Sequence, residues 1–155
     1  MAIFTVLQIS PDAPLLMYLL DTDVISELRK AGTSRMDPNV RDWAKNVSTS
    51  TLYLSAISIL ELEIGILLLE RRDRSQGAVL RAWMEGHVLT TFEGRILAVD
   101  TSVALRCATF HVPSPRSDRD TLIAATAMVH GMSVVTRNVS DFEPTGVAFV
   151  NPWNS

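Results

Sequence analysis

The chain has 155 residues, of which 47% are hydrophobic and 20% charged, with a formal net charge of −3. This length and apolar content suit one domain with a buried core, without disulfide or metal staples. The lone cysteine, Cys107, excludes an internal disulfide and is typical of a reducing cytoplasm, while the negative charge argues against nucleic-acid binding through a basic surface alone.

The first sixteen residues are predicted to be a loose extension, or an artefact of start-codon choice, before a single domain over 17–155. They lack the basic region of a signal peptide, and Asp12 with two prolines interrupts any apolar core. Met17 directly precedes a strong strand pattern, so we expect the fold to start there. The longest later apolar run, 64–69, is far shorter than the ~20 residues that span a bilayer, which predicts no membrane segment.

From Met17 onward, strand and helix patterns alternate along the chain. Short apolar runs predict five strands, at 17–20, 52–55, 96–99, 133–136 and 147–150. Helical spacing and capping residues predict helices between them: over 26–30 with Asp23 or Thr22 as cap, from Asn39 to about 47, over 59–72, over about 77–88, after Asp100 to about 110, and from Asp120 to Gly131. The alternation predicts an α/β domain with a parallel sheet between two layers of helices.

Carboxylates follow several of the predicted strands. Asp21 comes directly after the first strand, Glu61 lies on the first turn of the helix after the second, and Asp120 opens the helix before the fourth. Asn138 and Asp141 follow the fourth strand. Ligands of open parallel sheets bind beyond the carboxyl ends of the strands, so these side chains are expected to converge there. Such a cluster suits Mg²⁺ or Mn²⁺ and the hydrolysis of phosphodiester bonds.

Each carboxylate also has a purely structural explanation. Ser58-Ile-Leu-Glu61 has the form of a capping box, in which the glutamate satisfies only the serine N–H. Ser117-Asp-Arg-Asp120 has nearly the same form, and Asp118 or Asp120 would favour the helix dipole. Asp21 suits a helix N-cap and Asp141 a turn. Their joint position at one sheet edge favours a site over capping alone.

The remaining polar candidates are weaker. Arg116, Arg119 and Arg137 flank the acidic edge and are suited to hold an RNA backbone. His111, close to two prolines, is interpreted as a loop histidine, and Cys107 as a small buried hydrophobe.

Six segments, which occur in order over 17–153, resemble the conserved segments of one known family. They are Leu19-Leu-Asp-Thr-Asp-Val-Ile-Ser26, Leu54-Ser-Ala-Ile-Ser-Ile-Leu-Glu-Leu-Glu-Ile-Gly65, Phe92-Glu-Gly-Arg-Ile-Leu97, Asp120-Thr-Leu-Ile-Ala-Ala-Thr-Ala127 with His130-Gly131, Val135-Thr-Arg-Asn138 with Asp141-Phe142, and Asn151-Pro-Trp153. In these segments the sequence resembles the PIN-domain family, specifically the VapC-type and FitB-like toxins of bacterial type II toxin–antitoxin systems. The resemblance implies a Mg²⁺- or Mn²⁺-dependent endoribonuclease with a PIN-like fold, a five-stranded parallel sheet sandwiched between helices.

The resemblance also implies a set of site residues. Asp21, Glu61 and Asp120 match the family's first three acidic ligands. Many relatives have aspartate where this chain has Asn138, so the fourth position is left open between Asp141 and a water-mediated Asn138.

Four further residues belong to this expectation. Thr136 is expected to orient the fourth corner together with the asparagine, and Arg137 to support the site. Asp23 replaces a more usual asparagine, and Asp118 adds a negative charge, so either is expected to alter metal affinity.

The resemblance further implies partners. These are a small VapB- or FitA-like antitoxin whose C-terminal segment wraps the toxin, an RNA substrate of unspecified identity, and a second copy of the chain in a homodimer. The very apolar helix predicted over 59–72, with Trp43 nearby, suits such contacts. The expected location is the cytoplasm.

Two alternatives stay open at this point. Asp21-Thr-Asp23 and the strand-ending Thr136 imitate a haloacid-dehalogenase-like phosphatase, but no lysine occurs after Lys45 and Ile25 stands where threonine or valine is expected. A non-catalytic PIN module that binds RNA or protein is favoured only by Asn138.

Overall fold

The computed structural model describes residues 16–154, so the predicted extension lies, apart from Leu16, outside the described residues. Five parallel strands form one sheet in the order β3-β2-β1-β4-β5. The strands are β1 (Tyr18–Leu20), β2 (Leu52–Ser55), β3 (Ile96–Leu97), β4 (Ser133–Val135) and β5 (Phe149–Val150). The prediction of a five-stranded parallel sheet is therefore confirmed, although β1 and β5 start later than predicted and β3 and β4 end earlier.

Helices connect the strands and cover both faces of the sheet. Within the described part of the chain they are α1 (Thr22–Leu28), α2 (Pro38–Lys45), α3 (Ala56–Arg72), α4 (Arg74–Trp83), α5 (Leu89–Thr91), α6 (Thr101–Thr109), α7 (Asp118–Val129) and α8 (Val139–Phe142). Across residues 16–154, none of the helices has the length and apolar character required to cross a bilayer.

The two faces of the sheet pack into separate hydrophobic cores. Leu20 and Val135 lie in one core with residues of α3, and the preceding residue of each strand, Leu19 and Val134, lies in the other core with α7. Consecutive strand residues point to opposite faces, so a sheet buried on both sides needs continuous apolar runs. The continuous apolar runs of β1 and β4 therefore suit strands inside the sheet, next to one another.

The first two helices begin with caps other than the predicted ones. Asp21, rather than Asp23 or Thr22, caps α1, and its Oδ1 accepts the N–H of Thr22 at 2.8 Å. Asp37, rather than Asn39, caps α2 and accepts the N–H of residues 39 and 40. Pro38 then occupies the first helical position, where a missing N–H costs nothing.

Helix α3 begins three residues earlier than predicted. Strand β2 ends at Ser55, whose Oγ accepts the N–H of Ile57 at 3.0 Å and starts the helix at once. Glu61 therefore lies in the second turn, where backbone N–H groups already have helical partners. The capping-box explanation of Ser58 and Glu61 is wrong, which removes the structural alternative for this carboxylate.

The later helices also differ in detail. The helix predicted over about 77–88 is α4 from Arg74, followed by a π-helical turn over Met84–Val88. Helix α7 begins at Asp118 instead of Asp120, so the latter lies within its first turn. Gly131 has φ +68°, the left-handed conformation expected just after the helix end.

Candidate active site

Asp21 lies at the carboxyl end of β1, at the centre of the sheet. Its side chain is only 5% exposed. Oδ1 accepts the N–H of Thr22 at 2.8 Å, and Oδ2 accepts the hydroxyl of Thr136 at 2.8 Å. Because β1 and β4 pair in register at Leu20 and Val135, the next residue of each strand comes to the same place.

The charge on Asp21 is poorly compensated within the protein. Burial, followed by the negative charge of Asp23, raises the pKa of Asp21 from 3.8 to about 7, and the charge of Asp120 acts in the same direction. The two hydrogen bonds offset only part of this effect. A carboxylate in this state gains strongly from a nearby cation.

Glu61 reaches the same edge from the second turn of α3. Its Oε1 accepts the hydroxyl of Thr22 at 2.9 Å, and its Oε2 lies 3.9 Å from Nη1 of Arg119. Glu63 instead accepts from Arg81 at 2.6 Å, as expected for a residue on another side of the helix. Glu61 therefore faces the N-terminus of α1, one residue from Asp21.

Asp120 lies in the first turn of α7 and faces Asp141. Burial raises the pKa of Asp120, the charges of Asp141 and Glu61 raise it further, and a hydrogen bond with Ser117 lowers it. Asp120 and Asp141 also line a cleft of about 240 Å³. The other lining residues are Pro115, Arg116, Ser117, Thr121, Ser140 and Pro144. The structure thus brings the four predicted carboxylates to one sheet edge.

The residues expected to support the site differ in how directly they contact the carboxylates. The backbone N–H of Asn138 donates to Oγ1 of Thr136 at 3.0 Å, so this position supports the threonine through its main chain. Asp118 is 88% exposed and lies 3.5 Å from His111 rather than among the carboxylates. Arg137 directs its guanidinium over the ring of Trp153, 5.3 Å from its centroid.

Asp23 is more closely involved in the site than the sequence predicts. Its Oδ2 accepts the N–H of Arg137 at 3.1 Å, while its Oδ1 is buried and has no hydrogen-bond partner in the described part of the chain. Burial raises the pKa of Asp23. The signal in the sequence is the spacing of Asp21-Thr-Asp23, which puts two carboxylates at one strand end. The contact of the Thr22 hydroxyl with Glu61 is not predictable from the sequence, because the two residues lie 39 positions apart.

The donor set fits a hard divalent cation. All the converging groups are carboxylates, and oxygen is the ligand that Mg²⁺ and Mn²⁺ prefer. Within residues 16–154, no three Asp, Glu, His or Cys side chains are close enough to hold a metal by themselves. Mg²⁺ commonly keeps several waters beside one or two carboxylates, so it does not require three carboxylates in contact with it. The raised pKa of Asp21 and the unpartnered oxygen of Asp23 indicate charge that such a cation would neutralise.

A parallel five-stranded sheet with carboxylates at its carboxyl edge defines an α/β domain with an acidic site at that edge. The chain belongs to the PIN domain family, which matches residues 18–144. This membership replaces the haloacid-dehalogenase-like phosphatase as the explanation of Asp21-Thr-Asp23.

Similar proteins match over nearly their whole length. The chain is 37% identical to VapC ribonuclease Y4jK of Sinorhizobium fredii over 142 residues, which cover 88% of this chain and 98% of the relative. It is 37% identical to toxin FitB of Neisseria gonorrhoeae over 145 residues, 89% of this chain and 99% of that protein. The crystal structure of FitAcB from Neisseria gonorrhoeae matches with a TM-score of 0.79 and 35% identity, covering 90% of this chain and 100% of that one.

Proposed function

We propose that this chain is the toxin of a type II toxin–antitoxin system and an endoribonuclease that hydrolyses RNA phosphodiester bonds with a divalent cation. The observation behind the proposal is the group of carboxylates around Asp21, whose pKa is raised to about 7 by burial and by neighbouring charge. Carboxylates crowded in this way suit a cation-assisted reaction on a phosphate. Relatives named as ribonucleases and toxins support the same activity.

In the mechanism we propose, Asp21, Glu61 and Asp120 would hold Mg²⁺ or Mn²⁺ partly through water, since no three carboxylates of the described residues are close enough to hold it alone. When bound, such a cation would supply a water molecule of lowered pKa and would offset charge on the leaving oxygen. The hydroxyls of Thr136 and Thr22 fix the orientation of Asp21 and Glu61. These hydrogen bonds hold the carboxylates in place before the cation binds, which lowers the cost of ordering them.

The test uses a fluorescein-labelled RNA of mixed sequence and the purified full chain. We expect Asp21→Asn and Asp120→Asn to reduce cleavage more than about 100-fold, since a lost ligand should cost at least as much as a lost outer-shell partner. Asp42→Asn, on the exposed face of α2, is the matched control and should cleave normally. Cleavage that is insensitive to EDTA, or unchanged in Asp21→Asn, would contradict the proposal. Absence of cleavage by the wild type would favour a non-catalytic PIN module.

We propose that Asp141, rather than Asn138, occupies the fourth position of the site, because its charge raises the pKa of Asp120. Asp141→Ala is expected to weaken Mn²⁺ binding, measured by titration, together with cleavage. Affinity and cleavage near those of the wild type would leave Asp21, Glu61 and Asp120 as the whole acidic set.

The proposed partners follow from the same function. A VapB- or FitA-like antitoxin would block the site, and a second copy of the chain would form a homodimer. Leu60, Leu67 and Leu68 on α3 are each about half exposed or more, and such apolar surface suits a protein contact. The cytoplasm is the proposed location, since it holds the RNA substrate and keeps a free cysteine such as Cys107 reduced.

A further inference from the structure

The segment between α6 and α7 contains His111, whose ring contacts two other residues. The N–H of Arg116 donates to Nδ1 of His111 at 3.3 Å, so in the neutral ring Nε2 holds the proton. Nε2 lies 3.1 Å from Oγ1 of Thr121, to which it donates. The interpretation of His111 as a mere loop histidine is therefore incomplete, because both ring nitrogens have partners.

The partners of His111 connect this segment to the first turn of α7. Thr121 is only 1% exposed, and its hydroxyl donates to the carbonyl of Ser117 at 2.8 Å. Ser117 lowers the pKa of Asp120, which lies one turn further along α7, and Cys107 of α6 lies 3.4 Å from the same threonine hydroxyl. The histidine thus ties residues 111–117 to the turn that presents Asp120.

Arg116 is the cation that this arrangement places at the cleft of Asp120 and Asp141. Within the described residues, its guanidinium has neither a hydrogen-bond nor an ion-pair partner. The two other arginines of this edge are engaged, since Arg119 lies 3.9 Å from Glu61 and Arg137 stacks on a tryptophan. Arginine binds phosphate with two parallel N–H groups, so a free guanidinium beside an acidic cleft suits an RNA backbone.

We propose that Arg116 contacts a phosphate of the bound RNA and that His111 is the positioning residue that holds Arg116 over the cleft. This inference rests on the proposed ribonuclease function. A contact with a phosphate away from the bond that breaks stabilises substrate and transition state equally, so its loss raises KM and leaves kcat unchanged.

The first experiment measures steady-state cleavage of a 20-nucleotide fluorescein-labelled single-stranded RNA. Arg116→Ala is expected to raise KM about 10-fold, the order expected for one charged hydrogen-bonded contact, with kcat within about 2-fold of wild type. It should also lower the slope of log KM against log salt concentration by about 0.7, the value for one phosphate of a single strand. Arg106→Ala, an exposed arginine of α6, is the matched control and should change neither quantity. Equal behaviour of the two variants would overturn the proposal.

Three substitutions separate positioning by His111 from a role in folding alone. His111→Asn retains an acceptor close to the Nδ1 position, His111→Gln offers a group close to Nε2 only, and His111→Phe offers neither. We expect the asparagine variant to resemble wild type, and the other two to raise KM as Arg116→Ala does, with unchanged kcat and Mn²⁺ affinity.

A double-mutant cycle gives the decisive comparison. His111→Phe should add little to KM when Arg116 is already alanine, because the group that the histidine positions is then absent. An equal effect of His111→Phe with and without Arg116, or a loss confined to kcat, would overturn the positioning role. Thermal unfolding of each variant identifies any that fails to fold.

RNA binding tests the inference independently of cleavage. Anisotropy of the same RNA is measured in EDTA with Asp21→Asn as the inactive background. Adding Arg116→Ala should weaken binding about 10-fold, and adding Arg106→Ala should not. Absence of cleavage by the wild type would contradict the proposed function, whereas equal RNA binding by the two arginine variants would contradict this inference alone.

Discussion

One hydroxyl, that of Thr136, links two parts of the site. It donates to Oδ2 of Asp21 at 2.8 Å and accepts the N–H of Asn138 at 3.0 Å. The donated bond lowers the pKa of Asp21 and so favours the charged form that would bind a cation. The threonine is fully buried, so no water can easily replace it.

At this residue scale we predict that Thr136→Val weakens Mn²⁺ binding and RNA cleavage by about 10–100-fold, the usual cost of losing an outer-shell partner. Thr136→Ser retains the hydroxyl and should stay close to the wild type. Calorimetric Mn²⁺ titration and cleavage assays measure both quantities. If valine and serine behave alike, the hydrogen bond does not control the site.

At the scale of elements, α3 and α4 pair closely because Gly77 has no side chain. A Cβ at this position would lie 2.6 Å from the Cα of Glu70, which is too close for any real contact. The guanidinium of Arg81 donates to Glu63 at 2.6 Å and to Glu70 at 2.8 Å, which joins the same two helices. Hydrogen bonding to Arg81 lowers the pKa of Glu63 accordingly.

We predict that Gly77→Ala lowers the free energy of unfolding by about 1–3 kcal/mol, as overpacking does, despite the better helix propensity of alanine. Gly65→Ala in α3 is the matched control, because a Cβ there meets no atom within 4 Å. It should raise the free energy of unfolding by up to about 1 kcal/mol. Urea unfolding measures the free energies of both variants, provided that their m-values equal that of the wild type. Stabilisation by Gly77→Ala would show that the two helices can move apart without cost.

At the scale of the whole molecule, the acidic edge makes the stability of the metal-free protein depend on pH. The pKa of Asp21 is raised from 3.8 to about 7, so the folded chain retains a proton that the unfolded chain has already released. Between these two values a rise in pH favours the unfolded state, and above about 7 the effect is complete. Raised pKa values of Asp23 and Asp120 act in the same direction.

We predict that the unfolding midpoint in EDTA falls as pH rises from 5 to 7.5, a range above the titration of groups with lowered pKa such as Glu27. Asp21→Asn should remove much of this fall, and Asp42→Asn should retain it. Adding Mg²⁺ at pH 7.5 should raise the midpoint of the wild type, because the cation offsets the charge. A midpoint in EDTA that does not fall over this range would contradict the prediction for Asp21.

Much of the fold followed from local patterns. The bounds of β2 were predicted correctly. Its apolar run follows polar residues and ends at Ser55, which also caps the next helix. The π-helical turn over Met84–Val88 was not predicted, since both of its end residues are buried and its hydrogen-bond register depends on the core around them. The starts of α1, α2 and α3 were displaced because several nearby residues could serve as caps.

The sequence by itself determined where the strands lie along the chain and which carboxylates follow them, because side-chain period and residue type are local properties. Only the tertiary structure decided how those carboxylates behave. Thr136 lies 115 residues from the aspartate it binds, and the ring of His111 contacts Thr121 only because the segment between α6 and α7 folds back on the first turn of α7. The raised pKa of Asp21 comes first from burial, which only the folded chain shows, and then from the charge of Asp23, whose closeness the sequence already indicates.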